Sequence, residues 1–298
     1  MRLRFSLKEL ETFVAIADFG TFAAAGEAIG LTQSAISLQI KSLEATLDVK
    51  LFDRSKRPPV MNARGMKLLR RAREIINQCQ ALKDTVHDSP LGGALRIGVI
   101  PTAMSGVLPE TLAELRQSHP QLVIELTSGL SATLVGEVNR GRLDAAVVTE
   151  PAQLGRELSW HTFAEEPLVV IAPSNAEGEI DRDVLAHYPF IQFLPEAYAG
   201  QQIATLLQDR GIHVNPQMSL NSLESIARMV ASGLGVSIVP QRTIADPFPP
   251  GIKVLPFGLA PVNRVVGVVE RVANPKHELI QLLTAVLIKH CQLISAVD

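Results

Sequence analysis

The segment Asp88-Ser89-Pro90-Leu91-Gly92-Gly93 divides the chain into two parts that cannot share one architecture. A proline followed by paired glycines ends a helix. Before it, residues 1–62 show only short helical patterns punctuated by Gly and Pro. Residues 63–88 are then one long polar–apolar helical run, free of Gly and Pro after Gly65. Behind the break, from Ala94 on, apolar strand-like runs alternate with amphipathic helices, which is the pattern of an α/β fold. The boundaries this predicts are a first module at 1–62, a linking helix at 63–89 and a larger domain at 90–298. A length of 298 residues suits two domains.

The net charge of -2 hides an asymmetry. Residues 1–89 hold 14 Lys+Arg against 10 Asp+Glu, a balance of +4, while residues 90–298 hold 14 against 20, a balance of -6. From Lys50 to Arg73 there are nine basic residues and one acidic one, Asp53. A small basic module ahead of an acidic domain points to a polyanion partner for the first part alone. With 47% hydrophobic and 19% charged residues the chain has ample material for cores. No apolar run approaches the ~18 residues of a membrane span. The basic start Met1-Arg2-Leu3-Arg4-Phe5-Ser6 leads into no apolar stretch, so no secretory signal is expected. Two cysteines, Cys79 and Cys291, exclude a disulfide scaffold and a multi-thiolate metal site, and fit a cytoplasmic setting.

Local pattern makes the first module a helix-turn-helix. Ser6 and Glu9 form a capping box for a helix from about Leu7 to Ala17, which Gly20 stops. Thr21 caps a short Ala-rich helix, Phe22 to Ile29; Gly30 follows, Leu31 is expected to plug the core, and Thr32 caps a third helix, Gln33 to Leu47. With Ile36 at zero and 100° per residue, Ile40, Leu43 and Leu47 fall within about 40° of it. Ser34, Ser37, Leu38 and Lys41 fall between about 100° and 200°. One face is therefore a core stripe. The other carries short polar groups, one Leu and one Lys, which suits close approach to a major groove. Gln33 and Ser34 are placed to bond base edges or phosphates and Lys41 to pair with a phosphate; the alternative is that these groups only face water. Leu51-Phe52 and Val60-Met61 then read as two short strands flanking a basic tip, Arg54 to Arg57, and Asn62 caps the long helix.

Phe13 with Thr21-Phe22-Ala23-Ala24-Ala25, then Leu31-Thr32-Gln33-Ser34-Ala35-Ile36-Ser37-Leu38-Gln39-Ile40-Lys41-Ser42-Leu43-Glu44, then Leu51-Phe52-Asp53-Arg54, resembles the DNA-binding domain of LysR-type transcriptional regulators. The order, the spacing and the following long helix all match. The resemblance extends over the whole chain and implies an N-terminal winged helix-turn-helix, a linker helix, and a two-lobed, periplasmic-binding-protein-like α/β effector domain. It implies sequence-specific binding of double-stranded DNA through Thr32, Gln33, Ser34, Ser37, Leu38 and Lys41 on the recognition helix, and Arg54, Lys56 and Arg57 on the wing. It also implies homodimers, commonly tetramers, and contact with RNA polymerase. Leu38 is a departure, since the family commonly has Arg or His there; a Leu either touches a thymine methyl or contributes nothing.

In the long helix Met66, Leu68, Leu69, Ala72, Ile75, Ile76, Cys79, Leu82 and Val86 form a broad apolar stripe about 37 Å long. A second copy of the chain is the economical cover for it, with Leu69, Ala72, Ile76 and Cys79 at the seam and the effector domain as the alternative. Cys79 reads as a small buried hydrophobe. In the larger domain, strands near 94–100, 122–126 and 143–148 alternate with helices from about Ser105 to Ser118 and from Ser131 to Arg140, a parallel βαβαβ unit. Strands near 168–171, 190–193, 218–220 and 236–239 make a second set, and 265–269 returns before a last helix from about Pro275. This predicts lobe I at about 94–164 and 268–298, and lobe II at about 165–267. Ligands bind beyond the carboxyl ends of such strands. That rule selects Thr102, Ala103, Ser128, Gly129 and Thr149 on lobe I, and Gln192 and Asn221 on lobe II, for a small organic anion. Ser131 and Ser222 read as helix caps.

No catalytic residue, metal site or cofactor is expected. His277-Glu278 opens like a metalloprotease helix, but Gln281 stands where the second His would be. Gly233-Leu234-Gly235 lacks the third Gly of a dinucleotide fingerprint, and no G-x-S-x-G, P-loop or C-x-x-C is present.

Overall fold

The computed structural model describes residues 5–85, 93–244 and 246–295. The break at Asp88 to Gly92, Val86 and the Leu82 side chain lie outside the described residues. The chain forms two compact units, Met1–Pro90 and Leu91–Asp298.

In the first unit, α1 (Leu7–Phe19) begins at the Ser6–Glu9 capping box and runs two residues beyond the expected end, to Gly20 at φ +79°. The threonines then start two helices. Thr21 Oγ1 accepts from Ala24 N at the head of α2 (Phe22–Ile29), and Thr32 Oγ1 from Ala35 N at the head of α3 (Gln33–Leu47). Gly26 is what lets α2 and the turn approach closely, since a Cβ there would sit 2.6 Å from the Leu31 carbonyl oxygen. Leu31 itself is at the surface, 36% exposed, and does not plug the core as expected. The turn makes its contact through the Leu31 backbone rather than the side chain. Two short strands, β1 (Phe52–Asp53) and β2 (Val60–Met61), pair antiparallel as the wing, one residue later than expected at the first strand. Leu51 is buried beside them and its carbonyl accepts from Asn62 N. Asn62 Oδ1 in turn accepts from Arg64 N and Gly65 N at the head of α4 (Ala63–Thr85).

The core of this unit joins Leu10, Phe13, Ile16, Phe22, Ile36, Ile40, Leu43 and Phe52, with edge-on ring contacts of Phe52 to Phe13 (5.8 Å) and Phe22 (5.1 Å). Leu69 and Ala72 of α4 belong to that same core, at 7% and 0% exposed. This corrects their assignment to a dimer seam. The apolar stripe is wider than one contact, and its Leu69–Ala72 edge packs into the helix-turn-helix, where Arg73 also pairs with Asp18 of α1. Ile76, half-buried, packs against that core as well, so what remains outward on the helix is Met66, 59% exposed, and Ile75, 39% exposed, with Cys79 half-buried.

The second unit contains two cores. In lobe I, β3 (Gly93–Val99) lies parallel to β4 (Leu122–Ser128) and β5 (Ala145–Thr149). A short helix that was not expected, α5 (Pro101–Met104), comes first, and the helix expected from about Ser105 to Ser118 begins three residues later, as α6 (Leu108–Ser118). Pro109 in the first turn of α6 has no N–H and cannot continue a helix from upstream. Gly106 fills the kink, where a Cβ would meet the Thr102 carbonyl oxygen at 2.7 Å. After α7 (Ser131–Asn139), β6 (Leu158–Pro173) runs sixteen residues through both lobes, well beyond the 168–171 stretch that reads as a strand. Lobe II adds α8 (Asp181–His187), β7 (Phe190–Phe193), α9 (Tyr198–Asp209), β8 (Pro216–Leu220), α10 (Leu223–Ala231), β9 (Ser237–Pro240) and β10 (Ile252–Pro256). There β9 and β10 pair antiparallel with the far half of β6, and β7 pairs parallel with β8. The chain returns along β11 (Asn263–Arg271), antiparallel to β5 and β6, so the lobe I sheet is mixed rather than wholly parallel. It closes with α11 (His277–Ser295).

Candidate nucleic-acid interface and effector cavity

The outward face of α3 carries Gln33, Ser34 and Lys41, all exposed, half-buried Ser37, and Leu38 at 70% exposed. The Ser34 hydroxyl lies 2.9 Å from that of Thr32, so the two share one hydrogen bond at the helix start. Its first-turn amides and dipole favour an anion there. The single acid of α3, Glu44, points the other way. It is 2% exposed, its Oε1 accepts from Leu51 N (2.8 Å), and its Oε2 accepts from Arg54 Nη2 (3.1 Å) and Lys50 Nζ (3.4 Å). Glu44 thus ties the recognition helix to the wing and leaves no acidic side chain on the outer face. Sequence reasoning missed that role; the signal was an acid in line with the Ile40–Leu43 stripe. Arg54, whose side chain is 42% exposed, gives one guanidinium N–H to Glu44 and so also links the wing to the recognition helix. Lys56 and Arg57 are exposed at the tip. Asp53 Oδ1 shapes that tip by accepting from Ser55 Oγ (2.6 Å) and Ser55 N (3.0 Å), and these two bonds hold the Asp53 carboxyl below the usual range.

In the α/β unit, Thr102 is buried at the start of α5 and its Oγ1 accepts from Arg264 Nη1 at 3.1 Å. Arg264, 2% exposed, sits on β11 opposite Glu166 of β6 and forms a two-pronged pair with it. Sequence reasoning passed over Arg264 and Glu166 because each is a lone charge inside a strand pattern; only the pairing of β6 with β11 joins them. Thr102, Ala103, Phe163, Glu166, Arg242 and Cys291 line a cavity of about 10 Å³, closed down to about one water. Arg242 reaches across from lobe II: its Nη1 donates to Ser105 Oγ (3.1 Å) and Glu224 Oε1 (2.6 Å), while Ser105 Oγ donates to the same Glu224 oxygen (2.6 Å). Burial would raise the Glu224 carboxyl, but the bond from Ser105 and the charge of Arg242 bring it below its usual range. Burial, with the Glu166 charge nearby, pushes the Cys291 thiol up to about 12.

Of the residues selected for the effector, the cavity gathers only Thr102 and Ala103. Thr149 is buried and its N–H donates to Ser131 Oγ at 3.2 Å, so Ser131 is not a cap but a brace within lobe I. Ser222 does cap α10, accepting from Ser225 N. Ser128 and Asn221 are exposed and Gly129 half-buried. Gln192 opens into a different cavity of about 360 Å³ in lobe II, with Phe190, Phe193, Ile203, Leu207 and His213. Among the described residues no three His, Cys, Asp or Glu side chains converge on a metal position, and no single helix is long and apolar enough to cross a membrane.

A winged helix-turn-helix joined in one chain to a two-lobed α/β unit defines a DNA-binding module with a ligand-binding one. A family profile described as a bacterial regulatory helix-turn-helix protein of the lysR family matches residues 7–66, and one described as the LysR substrate binding domain matches residues 88–292. A protein of Cyanophora paradoxa described as a probable RuBisCO transcriptional regulator is 34% identical over 261 residues, 84% of this chain and 81% of that one. One of the same description from Trichormus variabilis is 30% identical, covering 84% and 77%. Among solved structures, a full-length OxyR variant from Pseudomonas aeruginosa matches with a TM-score of 0.70 at 26% identity, over 95% of this chain and 94% of that one. Full-length BenM, at 20% identity and a TM-score of 0.56, shares the fold over 98% of this chain and 97% of that one. The chain belongs to the LysR family of transcriptional regulators: it is a DNA-binding regulator with a substrate-binding domain.

Proposed function

We propose that α3 enters the major groove with Gln33, Ser34, Ser37, Leu38 and Lys41 against base edges and phosphates, while Lys56 and Arg57 lie on the flanking backbone. The observation that carries this is the inward turn of Glu44, which leaves an outer face with a positive helix end, one Lys and no acid. Two copies of the chain pair along α4 through Met66 and Ile75, with Cys79 at the margin, and set two recognition helices on a palindromic operator. Higher assembly and contact with RNA polymerase are further expectations from the resemblance. The domain reading is a winged module to residue 62, a linker helix to about 89 and an effector domain beyond, whose two lobes clasp the ligand. The effector is a small organic anion. Arg264, Arg242 and the Thr102 hydroxyl supply its partners, and it gains its place by taking Arg242 from Glu224, which opens the closed cavity.

Fluorescence anisotropy on duplexes from the DNA flanking its own gene tests the first half. Affinity should fall steeply with salt, and Lys41→Ala, Lys56→Ala and Arg57→Ala should each flatten the slope by about one. Arg54→Ala should also lower stability, since it removes one donor from the buried Glu44. A flat salt dependence overturns the interface. A thermal-shift screen of organic acids tests the second half: a ligand of the native state raises the melting temperature, and Thr102→Val should weaken that ligand without unfolding the chain.

A further inference from the structure

Leu38 is out of character with its surroundings on α3. At 100° per residue Ser34, Leu38 and Lys41 lie within about 60° of one another, so the leucine stands between a hydroxyl and an ammonium in the middle of the outer face. It is 70% exposed and outside the core of its unit, which takes Ile36, Ile40 and Leu43 from the opposite face. Single exposed aliphatics are common and need no explanation where only water meets them. Here, on the interface proposed above, the side chain is driven into a groove where it has no hydrogen bond to offer. Against guanine, adenine or cytosine it would cover donors and acceptors without satisfying them. Thymine differs, since its major-groove edge carries a C5-methyl group, the one aliphatic surface among the four bases.

We propose that Leu38 reads thymine in each half-site by packing its side chain on the C5-methyl, and so sets the operator's sequence at one position that a hydrogen-bonding residue would set differently. This rests on the DNA-binding reading and adds a single atom-level requirement to it.

The test removes that methyl and nothing else. An operator is selected from random duplexes with the full-length protein, and each thymine of a half-site is replaced in turn by deoxyuridine. At one position the wild-type protein should lose about fourfold in affinity, the ratio expected for burying one methyl-sized group. Leu38→Ala, which changes an exposed side chain and should melt like wild type, should bind the thymine and uracil duplexes equally at that position while keeping the salt slope. If wild type shows no loss at any position, or the loss persists in Leu38→Ala, the thymine reading is overturned while the DNA-binding reading stands. If no duplex is selected at all, both fail.

Discussion

Cys291 shows how a residue's surroundings settle what its type leaves open. It lines the same cavity as Thr102 and Glu166, yet burial beside the Glu166 carboxylate pushes its thiol up to about 12 from an ordinary 9.0. The nucleophilic and oxidisable species is the thiolate. We therefore expect Cys291 to resist iodoacetamide at pH 8 in the native protein and to react fully once unfolded, read by peptide mass mapping. The unfolded chain sheds this proton near pH 9 and the folded one only near 12, so stability owed to the thiol is whole below pH 9 and lost as pH rises toward 12. Urea midpoints should fall over that window, and less steeply in Cys291→Ala; equal slopes would contradict the shift. Glu44 carries the complementary lesson. Its place near the stripe of Ile40 and Leu43 was legible from helix geometry, but its acceptance of the Leu51 and Phe52 amides was not, because the wing folds back from seven and eight residues away. Local spacing shows which face a side chain is on, and not what comes to meet it.

Elements were legible to the extent that their boundaries are set locally. The Thr21 and Thr32 caps, Gly20, Gly30 and Asn62 are all local devices, and the helices of the first module begin and end where those residues say. The long strand β6 was not legible at its start, because Leu158 to Pro167 has no continuous apolar run and carries Trp160, His161, Glu165 and Glu166, whose place in a ladder appears only when β11 supplies the pairing. The α4 stripe was legible as a stripe but not in its division between a fold contact and an open edge. The β6–β11 ladder, the two strands that link the lobes, also holds a fixed irregularity. The register shifts between Val266 and Gly267, and a Cβ on Gly267 would meet Trp160 Cζ2 at 2.5 Å and the His161 carbonyl oxygen at 2.6 Å. Neither a packed indole ring nor a strand backbone can give way cheaply. Gly267→Ala should therefore cost about 1–3 kcal/mol of stability, the range of overpacked cores. Scanning calorimetry should show the loss; a melting temperature unchanged within error would mean that the ladder yields there.

At the scale of the whole molecule, a regulator has to make the two ligands of its two units interdependent. The charge division, +4 over residues 1–89 and -6 over 90–298, assigns the polyanion to one unit. On the reading proposed above, Arg242 in the wall of the cavity gives the other unit a small anion in spite of that unit's net negative charge. The cavity has room for about one water, and Ser105 of one lobe is bonded to Glu224 and Arg242 of the other, so on that proposed reading an entering ligand breaks these bonds and changes the lobe arrangement. It then differs in affinity between two states, which is the condition for shifting a population. If operator binding also prefers one of those states, the two affinities are linked, and the linkage is reciprocal. An organic acid found by thermal shift should change the operator's dissociation constant by about fivefold or more, the lower range of measured couplings, and the operator should change the acid's by the same factor. Glu224→Gln, which removes the charge that competes for Arg242, should raise the acid's affinity and shrink the factor, because less of the binding energy then goes into opening the cavity. Calorimetric titrations with and without duplex measure both arms. A factor of one, with both ligands bound, would show that the cavity binds without regulating, and would move the control of this regulator to another surface.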